Sequence, residues 1–268
     1  MAGIEDFKGR WALVTGASAG IGAAMARELA GHGAKLILTA RRRERLDALA
    51  AELSAQGVET LIVIADLNDP AAPQQIYDAT EGAGIEVDIV LNNAGLGNYG
   101  VFSKSDIEKE LGQVRVNCDA VTRVARLFLP RMVERRRGWM LIVSSIAAFV
   151  PLPFSTTYAA TKAFDRSLAL GLAAEVRRFG VKVSTLCPGS TESEFFDIAN
   201  AAPLRRGGTQ PVDQVARKAV AGLAKGKGTI FPNFSSDFIA FIMRFLPAGT
   251  IASLIERVLR SATKTAAE

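Results

Sequence analysis

Apolar residues fall along this chain in short blocks, and their spacing predicts the architecture. Stretches 11–14, 35–39, 60–64, 88–91, 139–143 and 182–186 are rich in Leu, Ile and Val with few polar interruptions. A strand covered on both faces looks like this, because neither side meets water and the two-residue alternation is lost. Between the blocks the period changes. Met25, Ala26, Leu29 and Ala30, and then Leu46, Leu49, Ala50 and Leu53, stand three and four apart with charges on the remaining face, which predicts amphipathic helices. Strand and helix alternate throughout, so the expected fold class is α/β, a doubly wound parallel sheet with helices on both faces. No repeat, low-complexity run or dividing linker interrupts the 268 residues, and one domain over 1–268 is expected.

Two regions depart from the pattern. Over 190–211 the periodicity fades while Pro, Gly and charge increase, so an irregular, mobile loop over a substrate site is expected. Over 235–262 apolar residues return with charges at Arg244, Glu256, Arg257 and Arg260, predicting a C-terminal helical extension. Packing over a pocket, self-association and lying on a membrane surface all suit such a helix, and self-association is favoured. The apolar run at 238–243 is broken by Arg244 and Pro247 and is too short to span a bilayer.

Composition narrows the function. Forty-nine per cent hydrophobic and 22% charged residues suit an ordinary globular protein. The net charge of +5 could suggest nucleic acid, but the basic residues are scattered or in short clusters, without a stripe interleaved with aromatics. Two isolated cysteines, Cys118 and Cys187, make neither a disulfide framework nor a metal cluster, and a reducing cytoplasm is the expected setting. No secretory signal is apparent in the first residues. The single histidine, His32, reads as a surface residue near the end of the first helix.

The chemistry begins after the first strand, with Thr15-Gly16-Ala17-Ser18-Ala19-Gly20-Ile21-Gly22 leading into a helix. Glycines permit a tight turn and close approach of backbone N–H groups to a pyrophosphate, and a helix N-terminus adds unpaired donors. The second strand then runs into Ala40-Arg41-Arg42-Arg43, where an NAD site would carry a carboxylate for the ribose hydroxyls. A guanidinium there suits a 2′-phosphate instead, so Arg41, helped by Arg42 and the Ser18 hydroxyl, favours NADP(H) over NAD(H). Tyr158 and Lys162 are four apart in a helix-forming segment and share one face. A phenol is a suitable acid for an alkoxide and becomes a base only when nearby cations stabilise its anion. Ser145 follows the fifth strand, 13 positions before Tyr158, with Ser144 as its immediate competitor.

Taken in order, these motifs closely resemble those of the short-chain dehydrogenase/reductase family, from Thr15 to about Ser193. The glycine spacing matches the family's loop rather than the G-x-G-x-x-G fingerprint, and the resemblance implies a Rossmann-type fold and hydride exchange with a carbonyl or alcohol. It also implies that Ser145 polarises the substrate oxygen, that Tyr158 is the general acid/base, that Lys162 binds the nicotinamide ribose and that Asn117 completes a proton relay. A backbone hydrogen bond is the alternative for Asn117. Asp66-Leu67 would meet the adenine, although Asp66 could equally cap a turn. Asn93, Ala94 and Gly95 would flank the adenosine ribose, with a tie between strand ends as the other reading. Pro188, Gly189 and Thr191 would lie beside the carboxamide, together with Ser193, where the family has threonine.

After about Ser193 the resemblance fades. Phe149, Val150, Leu152, Phe154, Phe195 and Phe196 suggest an apolar substrate pocket, or core packing. Arg205 and Arg206 could meet an acidic group or simply be solvated. An NADP(H)-dependent enzyme acting as a homodimer or homotetramer is expected. A sensor that binds the nucleotide without chemistry would have no need of Ser145, Tyr158 and Lys162 together, and isomerisation is a third use of the same set.

Overall fold

The computed structural model describes residues 3–201, 204, 209–233, 238 and 242–264. Each apolar block is a strand: β1 (Trp11–Thr15), β2 (Lys35–Ala40), β3 (Thr60–Ile64), β4 (Val87–Asn92), β5 (Gly138–Val143) and β6 (Val181–Leu186). A seventh, β7 (Thr229–Ile230), has only two residues and was not foreseen. All pairings are parallel, in the order β3-β2-β1-β4-β5-β6-β7. The order reverses between β1 and β4, and in an open α/β sheet the crevice beyond the carboxyl ends of such a pair is where ligands bind.

Alternate strand residues feed two cores. Ala12, Val14, Leu36, Leu38, Ile89 and Leu91 pack on one face with α1 (Gly20–Gly31), α2 (Arg43–Ser54) and α8 (Val212–Ala224). Leu13, Ile37, Val90, Met140 and Ile142 pack on the other with α3 (Ala72–Asp78), α5 (Val121–Glu134) and α6 (Thr156–Val176). On β1, β2, β4, β5 and β6 side chains on both faces are therefore largely out of water, as the continuous apolar blocks predicted, while the edge strand β3 is only half-buried.

Helix α4 (Ile107–Val114) runs into α5 through a π turn, Arg115–Ala120. This wider turn carries Asn117. Single π turns inside α-helices frequently mark functional sites.

The 190–201 stretch is more ordered than its composition suggested, with a bridge between Thr191 and Gln210 and the short α7 (Phe195–Ile198). Phe196, Ala199, Ala201 and Leu259 form a small third core with Leu152, Phe154, Phe195 and Ile255. Through it the C-terminal helix Ala248–Lys264 packs over the cleft, so the predicted extension is helical from residue 248. Arg205 and Arg206, and much of 234–241, lie outside the described residues. Among the described residues no helix is long and apolar enough to cross a membrane.

Candidate active site

One cavity of about 530 Å³ opens where the sheet order reverses. At one end it is lined by Gly16, Ser18, Gly20 and Ile21 from the glycine loop and by Arg41, Arg42, Asp66 and Leu67 after β2 and β3. Its middle is lined by Asn93, Ala94 and Gly95, and the far end by Ser145, Tyr158, Lys162, Pro188, Gly189 and Thr191. Val150, Leu152, Phe195, Ile198 and Ile255 add an apolar roof. Of the predicted set, Gly22 and Asn117 stand behind the lining rather than on it.

The glycine loop is shaped by close contact. Gly16 and Gly20 adopt φ of +67° and +55°, a left-handed conformation that favours glycine. Gly22 has ordinary helical backbone, but a Cβ there would lie 2.4 Å from both Asn93 Nδ2 and the Gly16 carbonyl oxygen. Asn93 ties the strand ends together: its amide donates to the Thr15 carbonyl at 2.9 Å. The backbone N–H groups of Asn93 and Ala94 both donate to Thr15 Oγ1 at 3.0 Å. The tie between strand ends is thus the work its side chain does.

At the end of β2, Arg42 donates to Ser18 Oγ through Nη2 at 3.0 Å and to Glu194 at 3.0 Å. Arg45 donates to both oxygens of Glu194, at 2.7 and 2.8 Å. These bonds, Arg45's first, hold the Glu194 carboxyl below the usual carboxylate range. Arg41 is 60% exposed and its nearest acid, Asp66, is 3.9 Å away. Sequence reasoning ranked Arg41 first and missed Glu194, which comes from a loop about 150 residues away. Asp66 Oδ1 accepts the Asn68 N–H at 3.0 Å while still lining the cavity, so its turn-capping and cavity-facing readings coexist.

At the far end, the two serines separate cleanly. Both are buried and line the cavity, but Ser144 donates its hydroxyl proton to the Lys162 carbonyl at 2.7 Å, whereas Ser145 Oγ accepts the Ala147 N–H at 3.1 Å. Tyr158 and Lys162 share one face of α6, with the ammonium 5.9 Å from the centre of the phenol ring. Phe195 lies over Tyr158 from the roof, ring centres 5.3 Å apart. Burial pushes the Tyr158 phenol above its ordinary value, against the opposing pull of Lys162 and the nearby Ser145 hydroxyl. The sequence emphasised the cation; in the chain alone, desolvation wins. Burial also works against the Lys162 charge, but Asp165 and Tyr158 outweigh it and keep the ammonium.

Asn117 is buried and spends its amide locally. Its Oδ1 accepts the Leu96 N–H at 2.8 Å, and its Nδ2 donates to the Leu96 carbonyl and to Thr161 Oγ1, both at 2.9 Å. Thr191 is buried, lines the cavity and donates to the Gly189 carbonyl at 3.1 Å.

The chain matches a family model described as short chain dehydrogenase over residues 10–203. It belongs to the short-chain dehydrogenase/reductase family. A very-long-chain 3-oxoacyl-CoA reductase from Anas platyrhynchos is 32% identical over 254 residues, covering 92% of this chain and 79% of that protein. The 1-deoxy-11-beta-hydroxypentalenate dehydrogenase of Streptomyces exfoliatus is 38% identical over 217 residues, 80% of this chain and 78% of that one. Among solved structures, a short-chain dehydrogenase from Sphingobium yanoikuyae in complex with NADPH has a TM-score of 0.79 and 31% identity, covering 89% of this chain and 96% of that one. A Burkholderia phymatum short-chain dehydrogenase/reductase in complex with NAD has a TM-score of 0.81 and 26% identity, covering 88% and 92%. This member of the family is accordingly an oxidoreductase with a nicotinamide cofactor, on a parallel α/β sheet of Rossmann type.

The cavity's chemistry suits that cofactor. The N-terminus of the 12-residue α1 opens on it with Gly20 and Ile21 in the wall, and no side chain among the described residues caps it. Its backbone donors are free for a pyrophosphate.

Proposed function

We propose that this chain is an NADP(H)-dependent reductase or dehydrogenase acting on an apolar carbonyl or secondary alcohol. One observation carries the reading: Ser145, Tyr158 and Lys162 line the same cavity as the glycine loop and the arginines after β2. The site thus joins a dinucleotide cradle at one end to a proton donor at the other. The NADPH complex of the Sphingobium yanoikuyae relative agrees with the reading, and the NAD complex of the other shows why it needs its own test.

Gly16, Ser18, Gly20 and Ile21 would cradle the pyrophosphate through backbone donors. Arg42, already aligned on Ser18, and Arg41 would take the 2′-phosphate, since no carboxylate ends β2. Asp66 and Leu67 would border the adenine, Asn93, Ala94 and Gly95 the ribose, and Pro188, Gly189 and Thr191 the carboxamide, with Gly22 and Asn117 acting from behind through Asn93 and Leu96. The bound nicotinamide supplies or accepts the hydride. Ser145 donates a hydrogen bond to the substrate oxygen and polarises it. Tyr158 gives its phenolic proton to that oxygen as negative charge develops, and takes it back in the reverse direction. Lys162 steadies the phenolate left behind. Since burial holds Tyr158 in its protonated form, the chain by itself is poised for reduction at neutral pH. The apolar roof of Val150, Leu152, Phe195 and Ile255 favours a substrate without charge near the reacting carbon.

A panel of apolar ketones and the matching alcohols, followed by NADPH absorbance with NADH in parallel, tests this directly. Turnover with NADPH at least tenfold more efficient than with NADH is expected. Tight NADPH binding with no turnover across the panel would replace the enzyme by a nucleotide sensor. The reading includes self-association through the exposed Leu254 on the C-terminal helix; a strictly monomeric mass at micromolar concentration contradicts that part.

A further inference from the structure

Asp165 stands three residues after Lys162 on α6, and it is fully buried. Its Oδ2 accepts from Lys162 Nζ at 2.9 Å, while its Oδ1, also buried, has no hydrogen-bond partner among the described residues. A half-satisfied carboxylate inside a domain is expensive, and a chain that keeps one needs a reason. The ammonium has three N–H donors. Asp165 takes one, the Val143 carbonyl takes a second at 2.8 Å, and the third is left for the cavity, which Lys162 lines beside Gly95.

We propose that Asp165 is a positioning residue that acts through Lys162: by pairing with the ammonium it offsets the cation's field at Tyr158 and keeps that phenol protonated. A lone buried ammonium beside a phenol pulls the phenol toward its anion. An ammonium paired at 2.9 Å is nearly a dipole, and its effect on a third group weakens steeply with distance. Burial then dominates at Tyr158, which is the direction found. The inference rests on Tyr158 being the proton donor, but the charge coupling it describes holds whatever Tyr158 does.

The other titratable groups on the elements packed against α6 do not offer an alternative partner. Strand β5 and the turn Ile146–Phe149 carry none. Lys182 on β6 donates to the Ala224 carbonyl. On α4, Glu110 accepts from Asn98, Ser105 and Gln113, while Glu108 pairs with Arg115, and Lys109 is exposed. Asp119 in the π turn pairs with Arg123, and Arg177 and Arg178 follow the far end of α6. Cys118 in the π turn does feel Asp165, but burial first and then that carboxylate push its thiol to about 11, so it stays neutral.

The test reads the phenol in the cofactor-free protein. The chain has three tyrosines, so the tyrosinate absorbance of Tyr158→Phe subtracted from that of the parent isolates Tyr158. Asp165→Asn keeps the size and removes the charge; its Tyr158 titration should move about one pH unit lower. The alkaline limb of alcohol oxidation should move with it, where a purely structural role would lower kcat without moving the limb. Asp165→Asn combined with Lys162→Met removes both charges, leaves no buried ion unpaired, and should return the titration toward that of the parent. An unshifted or upward-shifted titration in Asp165→Asn overturns the proposal. If that single variant does not fold, a double variant whose phenol titrates well above the parent's overturns it instead, because the paired charges would then not have been cancelling. Turnover by Tyr158→Phe would sink the catalytic assignment separately, leaving the spectroscopic result intact.

Discussion

Gly22→Ala is the substitution for which the structure gives the clearest magnitude. Alanine is the better helix former by about 1 kcal/mol, and Gly22 has helical backbone, so propensity alone predicts a more stable protein. Contact predicts the opposite. The added methyl would lie 2.4 Å from Asn93 Nδ2 and from the Gly16 carbonyl oxygen, against an ordinary contact of 3.4 Å or more. The start of α1 must therefore move about 1 Å from the glycine turn. Neither neighbour yields easily, since one is backbone and the other is held by the Thr15 carbonyl. Overpacking of this kind costs about 1–3 kcal/mol, which outweighs the propensity gain. A displacement of about 1 Å in a loop meant to meet a pyrophosphate should also weaken NADPH binding by about tenfold or more, roughly 1.4 kcal/mol. Fluorescence titration with NADPH and a thermal melt read the two effects together. An NADPH Kd within twofold of the parent's, with Tm unchanged or raised, would refute the steric argument.

Further outcomes follow from the charged groups. Glu194→Gln removes the carboxylate that occupies Arg42 and Arg45 at the cavity mouth. These groups are exposed, so the effect is modest: NADPH should bind about two- to fivefold tighter, with NADH unchanged. Equal gains for both cofactors would separate Glu194 from the 2′-phosphate site. Burial, opposed by Lys162, raises the Asp165 carboxyl from 3.8 to about 6. The folded chain thus holds that proton more tightly than the unfolded one, and the associated stability, present at low pH, is lost as pH rises through about 6. Between about pH 4 and 6, the unfolding free energy of the parent should fall by about 2 kcal/mol relative to Asp165→Asn; urea-unfolding curves that stay parallel across that range contradict it.

How far the sequence led depends on the range of the forces involved. Strands β1 to β6 were legible because each is an apolar block, burial on both faces being the reason for all but the half-buried edge strand β3, and their ends were right to within a residue. Strand β7 was not, because two residues following Gly226-Lys227-Gly228 carry no periodicity and are held by pairing with β6 and by the packing of Ile230 against α8. The π turn was invisible as well. It carries Asn117, which is bonded to Leu96 and Thr161, partners 21 and 44 residues away, and nothing in Val116-Asn117-Cys118 announces that. Ser145 was separable from Ser144 by spacing, and the structure gives the physical difference: the Ser144 hydroxyl is committed to the Lys162 carbonyl, while Ser145 Oγ accepts from the Ala147 N–H. Glu194 could not be found, since its partners lie about 150 residues away. Asp165 could have been. Lys162, Asp165, Ala169 and Val176 follow the helical period on the buried face of α6, and a carboxylate on that stripe signals a cation beside it.

The measurement that bears most directly on the account is NADPH consumption by Tyr158→Phe with a carbonyl that the parent reduces, at neutral pH, alongside NADPH binding by fluorescence. Loss of at least a thousandfold in kcat with the NADPH Kd within about threefold is expected, because the ring stays and only the proton donor is lost. Turnover within tenfold of the parent's would contradict the claim that the Tyr158 hydroxyl delivers the proton.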